Sequence, residues 1–518
     1  MASLLLCSTP VHGHVTPLLA VARSLAAAGH DVCFLTGARY RAAVEAAGAR
    51  FVALPAEADY DDRDMDASFP GRVGRTGVDG AKWDLRNIFL EPAPAQLRAI
   101  DEQTRAQPVD AVLTEALFFG GMLLLCRPAS ARPPVLSLGI VPLGLRSRDT
   151  APFALGIPPL SGPLGRLRNS LLTWTTDRLV FADLQRDAAR VAREATGHEL
   201  PTPAMNYPAL ADAIVQFSVP EFEYPRSDLA TPVHFVGPVS LAAASPDLAL
   251  PDWWGDLDGS RPVVHVTQGT VANASLDDLV LPTLRTLADR DVLVVASTGG
   301  RDLPSAAIPA NARVAPYLPY DRLFPHLSAF VTNGGYGGVH YALAHGVPIL
   351  ATGNTEDKSE VSARVAWSGA GLRLRPRRGA GGRIDERAIA RAVDRLLAEP
   401  SFRAHAARIG AAVTAAPGPA GIEAVLRGVI RPAGSGAATA PGAATATSLT
   451  KERRRASRSP QASFPVNTCT RSVRACAATC CCPETTAGTT PAGRGSSPST
   501  RTRRPSPFRP TSTTSPSS

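Results

Sequence analysis

Short apolar runs alternate with helical patterns along this chain, and they do so in two separate series. Ser3–Ser8 reads as a strand, Leu18–Ala28 as a helix closed by Gly29, Asp31–Thr36 as a strand, Arg39–Ala47 as a helix ended by Gly48, and Arg50–Leu54 as a third strand. Such alternation predicts parallel strands, because parallel neighbours need a crossover that a helix supplies. Ala111–Leu113, Val135–Ile140 and Ala213–Ser218 look like further buried strands. Residues 56–95, acidic, glycine-rich and aromatic, are expected to form an irregular or helical excursion near a binding face. A second series then begins. Val263–Thr267, Val292–Ser297, Ala329–Thr332 and Pro348–Thr352 read as strands, and Leu279–Ala288, Ile384–Leu397 and Ile422–Val429 as helices. Between the two series lies GPVSLAAASPDLALPDWWGDLDG, whose composition suggests a linker. The expected domains are 1–236 and 259–430, joined by 237–258. Open parallel sheets bind ligands beyond their strand C-termini, so two of them facing each other would enclose a cleft.

The 518 residues suffice for two or three domains. The net charge of +9 is unevenly placed: thirteen of the 54 Lys/Arg and two of the 45 Asp/Glu follow Ile430. Residues 1–430 are therefore near neutral, so the overall charge says nothing about nucleic-acid binding by the folded part, and no specific nucleic-acid partner is expected. Residues 431–518 are dominated by Ala, Gly, Pro, Ser, Thr and Arg, which predicts a disordered basic tail or an extension read in the wrong frame. Its Cys476–Cys482 cluster lacks the paired spacing of a zinc site, and no metal site is expected. Cys7, Cys33 and Cys126 are too scattered for a disulfide framework, which fits a reducing cytoplasm. Neither a signal peptide nor a transmembrane helix is expected, since Leu4–Cys7 is short and no span of about 20 apolar residues occurs.

Two stretches carry chemistry. In TNGGYGGVHYALAHGVP, four glycines (Gly334, Gly335, Gly337, Gly338) separate a strand from a helical pattern. Either the turn needs positive φ, or a phosphate approaches the free amides at the helix start. The second stretch is HGHVTP, after the first strand. His12 or His14 there suits general-base work near neutral pH, or simply lies exposed. TQGTV (267–271) and APYLPYDRL (315–323) form two more strand-end loops.

Taken in order, HGHVTPLLAVARSLAAAGHDVCFLT, TQGT, PYLPYDRLFPHLSAFVTNGGYGG and ALAHGVPILATGNTEDKSEVSARV resemble the family 1 glycosyltransferases of GT-B fold. That family includes antibiotic macrolide and glycopeptide glycosyltransferases and plant UDP-sugar transferases. The resemblance covers roughly residues 1–430. It implies an α/β fold of two Rossmann-like domains and metal-free, inverting transfer of a hexose from a UDP- or dTDP-sugar to an acceptor hydroxyl, with no other cofactor. By the same resemblance the base is His14, with His12 as acceptor-side neighbour or fallback. Glu115 stands where many members keep an Asp. The donor would meet Gly269, Thr270, Tyr317, Leu318, Tyr320, Asn333, Gly334, Gly335, Gly337, Gly338, Val339, Asp357 and Lys358.

Three departures separate this chain from the plant type and fit a microbial branch. Asn333 replaces the His of the family's H-G-G, Tyr341 stands in place of a ribose-binding Glu, and Lys358 in place of Gln. Trp83, Phe89, Phe118 and Phe119 are candidates either for lining a site for a small hydrophobic acceptor (polyketide, phenolic or lipid-like) or for plain core. Two other readings are an auxiliary homologue without turnover and a nucleotide-sugar 2-epimerase. A dehydrogenase is disfavoured, because HGHVTP is not G-x-G-x-x-G.

Overall fold

In the computed structural model, residues 1–239, 241, 248–269, 275–353, 357–375 and 384–430 are described. The tail, Thr270 and part of the expected linker lie outside them. The first sheet comprises β1 (Ser3–Cys7), β2 (Asp31–Thr36), β3 (Arg50–Ala53), β4 (Ala111–Glu115), β5 (Val135–Gly139), β6 (Ala213–Gln216) and β7 (Val233–Phe235). All its pairings are parallel, in the order β3-β2-β1-β4-β5-β6-β7. The second sheet comprises β8 (Val263–Thr267), β9 (Leu293–Ser297), β10 (Ala312–Ala315), β11 (Ala329–Thr332), β12 (Ile349–Ala351) and β13 (Gly371–Arg373). It too is parallel, in the order β10-β9-β8-β11-β12-β13.

Period-2 alternation sorts each sheet's residues between two cores. Leu5 and Cys7 pack with Phe118, Phe119 and Met122 on one face of the first sheet. Leu4 and Leu6 pack on the other, against Val15, Leu18 and Val21 of the first helix. Ile422 and Leu426 join that second cluster, so the last helix, Ala420–Val429, packs on the first sheet although the second half of the chain carries it. The second sheet likewise has a core on each face. Among the described residues no single helix is long and apolar enough to cross a membrane, although the bent pair Pro400–Ala415 and Ala420–Val429 passes that test together.

One local expectation fails. HGHVTP is not a loop, because the first helix runs from His12 to Ala27 with Pro17 inside it. No local side chain caps this helix. Instead the Asp62 carboxylate, 50 residues away, accepts the His12 N–H at 2.7 Å. A long-range acid thus satisfies an orphan amide at the positive end of the helix dipole.

The two halves meet through side chains at the C-terminal ends of their strands. Gln216, the last residue of β6, donates to the Tyr336 hydroxyl at 3.2 Å, and Ser218 lies 3.0 Å from His340 Nε2. Tyr336 and His340 belong to the helix that follows β11, so the strand C-termini of both sheets face one another. Beside this contact Arg364 is fully buried between Glu223 of the first half (Nη2 to Oε1, 2.5 Å) and Glu360 of the second (2.7 Å). Glu360 also accepts the Gly156 N–H at 2.7 Å, and Ser359 donates to the Ala154 carbonyl at 2.9 Å. Burial raises the Glu223 pKa, but the charges of Arg364 and Arg226 outweigh it and hold the carboxyl below its ordinary range.

Removing one partner of a buried pair leaves the other charge desolvated and unpaired. Glu223→Ala is therefore expected to cost about 3–5 kcal/mol. Arg193→Ala, which breaks an exposed pair with Glu199, should leave stability nearly unchanged, since solvent screens that pair. Urea unfolding of the two variants beside the wild type checks the contrast.

Candidate active site

In both sheets the strand order reverses at one point, between β1 and β4 in the first and between β8 and β11 in the second. At such a switch point the two connections leave in opposite directions and open a crevice beyond the strand ends. The candidate residues gather at these two places.

At the first, β1 ends beside β4, with Cys7 level with Thr114. The Glu115 carboxylate is completely buried. It accepts from the Thr9 hydroxyl (2.7 Å), the Thr9 N–H (3.2 Å) and the Leu117 N–H (2.6 Å). His14, in the first turns of its helix, brings Nδ1 to 3.1 Å from Glu115 Oε1. Burial alone would raise the carboxyl's pKa, but the His14 charge and these hydrogen bonds reverse that and hold it below the ordinary value. The ring plane of Phe89 lies over the imidazole, with centroids 6.0 Å apart and planes 21° apart. Phe89 belongs to a π-helical turn, Leu85–Leu90, a form that often accompanies functional sites.

At the second switch point, two strands end in the same way. Thr267 and Thr332 close β8 and β11 in register. Each hydroxyl accepts the N–H two residues on, from Gly269 and Gly334, at 3.2 Å. Both glycines have positive φ, 73° and 90°. T-Q-G and T-N-G are thus one turn used twice, and glycine is required in it. At Gly334 a Cβ would also lie 3.0 Å from Ser362 Oγ. The Asn333 side-chain amide donates to the Gln268 carbonyl and ties the two turns together. Gly335 then caps the helix Tyr336–Ala344. The Val339 N–H is bonded to the Gly335 carbonyl. The amides of Tyr336, Gly337 and Gly338 precede that first intrahelical bond, at the positive end of the dipole.

Several sequence-predicted residues are placed otherwise. Phe118 and Phe119 are completely buried in the core, because they open the buried helix Phe119–Leu125. They line no cleft here. Trp83 packs edge-on against Phe69, which meets Tyr60 in the same way. His12 is exposed two residues before His14 and is not brought beside it, since residues two apart do not share a helix face. Val339 has a buried side chain and a committed amide, so it offers no donor. The Leu318 side chain is core, leaving only its backbone at the surface. Tyr320 belongs to an aromatic cluster with His265, Phe324 and Tyr341. By contrast Tyr317 is 52% exposed, its ring anchored by a hydrogen bond to the Gly299 carbonyl at 3.1 Å. Asp357 caps the helix Lys358–Trp367, and Lys358 is buried at its start with its carbonyl beside Gly334. Thr270 lies outside the described residues.

Sequence reasoning missed Thr9 and Tyr60. Thr9 was legible as a polar residue two positions after β1, three residues before His12. The Tyr60 hydroxyl is buried without a hydrogen-bond partner among the described residues. Burial, then the charges of Glu115 and Asp62, push its pKa up, and Asp62, two residues on, is the acceptor of the His12 N–H. No sequence pattern marks it. Among the described residues no group of three or more His, Cys, Asp and Glu is placed to hold a metal ion.

Comparison with known proteins agrees with this geometry. Residues 281–428 match the family model "Erythromycin biosynthesis protein CIII-like, C-terminal domain". The chain is 45% identical over 412 residues to 4'-demethylrebeccamycin synthase of Lentzea aerocolonigenes, covering 79% of this chain and 94% of that one. It is 34% identical over 426 residues to UDP-glycosyltransferase 2 of Phaeomoniella chlamydospora, covering 77% and 89%. Among solved structures, the calicheamicin glycosyltransferase CalG4 shares the fold with a TM-score of 0.62 at 22% identity, over 83% of this chain and 98% of that one. VinC, solved in complex with dTDP, does so with a TM-score of 0.57 at 22% identity, over 83% and 99%. The two parallel sheets with facing strand ends are the GT-B fold, and the chain belongs to the family 1 glycosyltransferases of natural-product biosynthesis.

Proposed function

We propose that this glycosyltransferase moves a hexose, with inversion and without a metal ion, from a UDP- or dTDP-sugar to a hydroxyl of a small hydrophobic acceptor. The observation that carries the proposal is the contact of His14 Nδ1 with the buried, hydrogen-bonded Glu115 carboxylate at the first switch point. With Nδ1 turned to Glu115, Nε2 is the nitrogen for an incoming hydroxyl. It takes the acceptor proton as the oxygen bonds to the anomeric carbon. The bond from that carbon to the diphosphate oxygen breaks in the same displacement, which inverts the centre. Glu115 fixes the ring orientation and stabilises the imidazolium.

On the donor side, the amides at the start of the helix Tyr336–Ala344 support the reading, since they are aimed where a departing diphosphate gains charge. The exposed face of Tyr317 suits stacking with a nucleobase, and Asp357 and Lys358 adjoin the Gly334 turn, where sugar hydroxyls would lie. Relatives named as UDP-glucosyltransferases and the dTDP complex of VinC support the two donor classes. Phe89, over the His14 ring, and the unpartnered Tyr60 hydroxyl are the acceptor-side groups, one apolar and one polar. Their pairing suits an aromatic or polyketide alcohol.

Incubation with UDP-glucose or a dTDP-sugar and a panel of phenols and macrolides should release nucleoside diphosphate and add the mass of one sugar. Release that needs no acceptor, or an epimerised donor with no product, would overturn the proposal. His14→Ala is expected to lower kcat at least about 100-fold with little change in donor KM. Tyr317→Ala should raise donor KM roughly tenfold and spare kcat, by the loss of about 1–3 kcal/mol of stacking. Steady-state kinetics of both variants separates the two roles. EDTA should leave the rate unchanged.

The Glu115 carboxyl sits below its ordinary pKa, so its contribution to stability is complete above the unfolded value of about 4.3. It is lost as the pH falls through the depressed folded value. Melting curves should show the gap between wild type and Glu115→Gln shrinking in acid, as the carboxylate takes up its proton.

A further inference from the structure

The helix Gly162–Thr175 carries a face that the enzyme's chemistry does not use. Leu164, Leu167, Leu171 and Trp174 stand on it at spacings of three, four and three residues, and are 76%, 67%, 63% and 54% exposed. Leu160, four residues before, is 50% exposed. Leu179, 65% exposed, follows across the π-helical turn Thr176–Val180. That turn adds one residue and so returns Leu179 to the same stripe. Alternating steps of three and four give a narrow apolar seam of the kind one helix presents to another.

The stripe is nearly palindromic. Leu167 with Leu171, and Leu164 with Trp174, are centred on Asn169, and Leu160 with Leu179 falls within half a residue of the same point. A seam of this form is its own complement when a second copy runs antiparallel across a two-fold axis. Six side chains exposed by half or more offer on the order of 500 Å² of apolar surface. That is at the top of what a monomer carries and matches the apolar share of a standard interface of about 800 Å² per partner.

Two other occupants fit less well. Residues 431–518 contain one leucine, two valines and two phenylalanines, too few apolar side chains to fill the seam. An anionic membrane needs unpaired basic residues beside the apolar stripe. Here Arg166 is paired with Asp149 at 3.2 Å and Arg146 with Asp177, which leaves Arg168 and Arg178 as the arginines of this segment without a carboxylate partner among the described residues, fewer than the roughly four to eight basic residues of a polybasic lipid-binding face.

We infer that this helix is the interface of a two-fold homodimer, in which Leu167 of each copy packs on the partner copy's equivalent of Leu171. Sedimentation velocity of the full chain at micromolar concentration tests it. The wild type should sediment as a dimer. Leu167→Lys should weaken dimerisation at least 100-fold while the melting temperature of the chain holds, because the side chain is exposed within each copy. Val73→Lys, an exposed apolar site elsewhere, should leave the dimer intact. A monomeric wild type, or a Leu167→Lys chain that still dimerises, overturns the inference. So does a monomer that pellets with phosphatidylcholine–phosphatidylglycerol vesicles and loses that binding in Leu167→Lys, which would assign the stripe to a lipid surface.

Discussion

A carboxylate with no exposure to water can stay ionised only if the surrounding chain supplies hydrogen bonds and a counter-charge. Glu115 obtains both at the end of β4, from Thr9, the Leu117 amide and His14. These partners come from the segment after β1 and from the turn after β4. One buried charge therefore fixes how the first helix leaves the sheet and where its histidine points. The Tyr207 hydroxyl, donating to the Glu115 carbonyl at 3.0 Å, braces the same strand end from the far side of the core. If Glu115 were apolar, the Thr9 and Leu117 amides would lose their acceptor and His14 its orientation. The local fold and the proposed chemistry thus depend on the same carboxylate.

The second centre has the same logic with fewer charges. Two threonine hydroxyls form two identical turns, and a single asparagine amide joins them. Because β8 and β11 are hydrogen-bonded neighbours, any shift of one turn is transmitted to the other. The helix that begins there is held in turn by Gln216 and Ser218 of the first half. Nearby, Arg364 spans Glu223 and Glu360 in a site without water access. The relative position of the two strand-end surfaces is therefore set by buried polar contacts, whose geometry is less forgiving than apolar packing.

What the sequence disclosed follows the range of the forces involved. Strands such as Asp31–Thr36 and Ala329–Thr332 are read to the residue, because their apolar runs are bounded by turn formers. Gly29 and Gly48 end helices as expected, since positive φ is a local demand. The start of the first helix is not legible, because its cap is Asp62. The short strands β7 and β13 and the helices of residues 162–196 are likewise absent from the sequence reading, their identity being settled by neighbours in the sheet and by tertiary packing. His14 and Glu115 were legible through resemblance and are brought together. Phe118 and Phe119 fell to the competing core reading, for an aromatic beside a glycine pair says nothing about which side of the sheet it faces. Glu223, Glu360 and Arg364 could not be joined from sequence, because 141 residues separate the outer pair.

The Asn333 departure bears on how the leaving group is stabilised. A histidine at this position would bring a titratable ring to the diphosphate. Asparagine brings only an amide, and here its NH2 is committed to the Gln268 carbonyl. The cost of that substitution in charge falls on the backbone. The turn after β11 uses its glycines to start the helix without a side chain intervening, so in the proposed reading the helix amides would meet the anion directly. A fixed array of amides needs no reorganisation as charge develops and does not titrate. On the proposed donor Asn333 would then act through geometry, by holding the two glycine turns at one separation, and a side chain that breaks the Gln268 contact would misplace both turns.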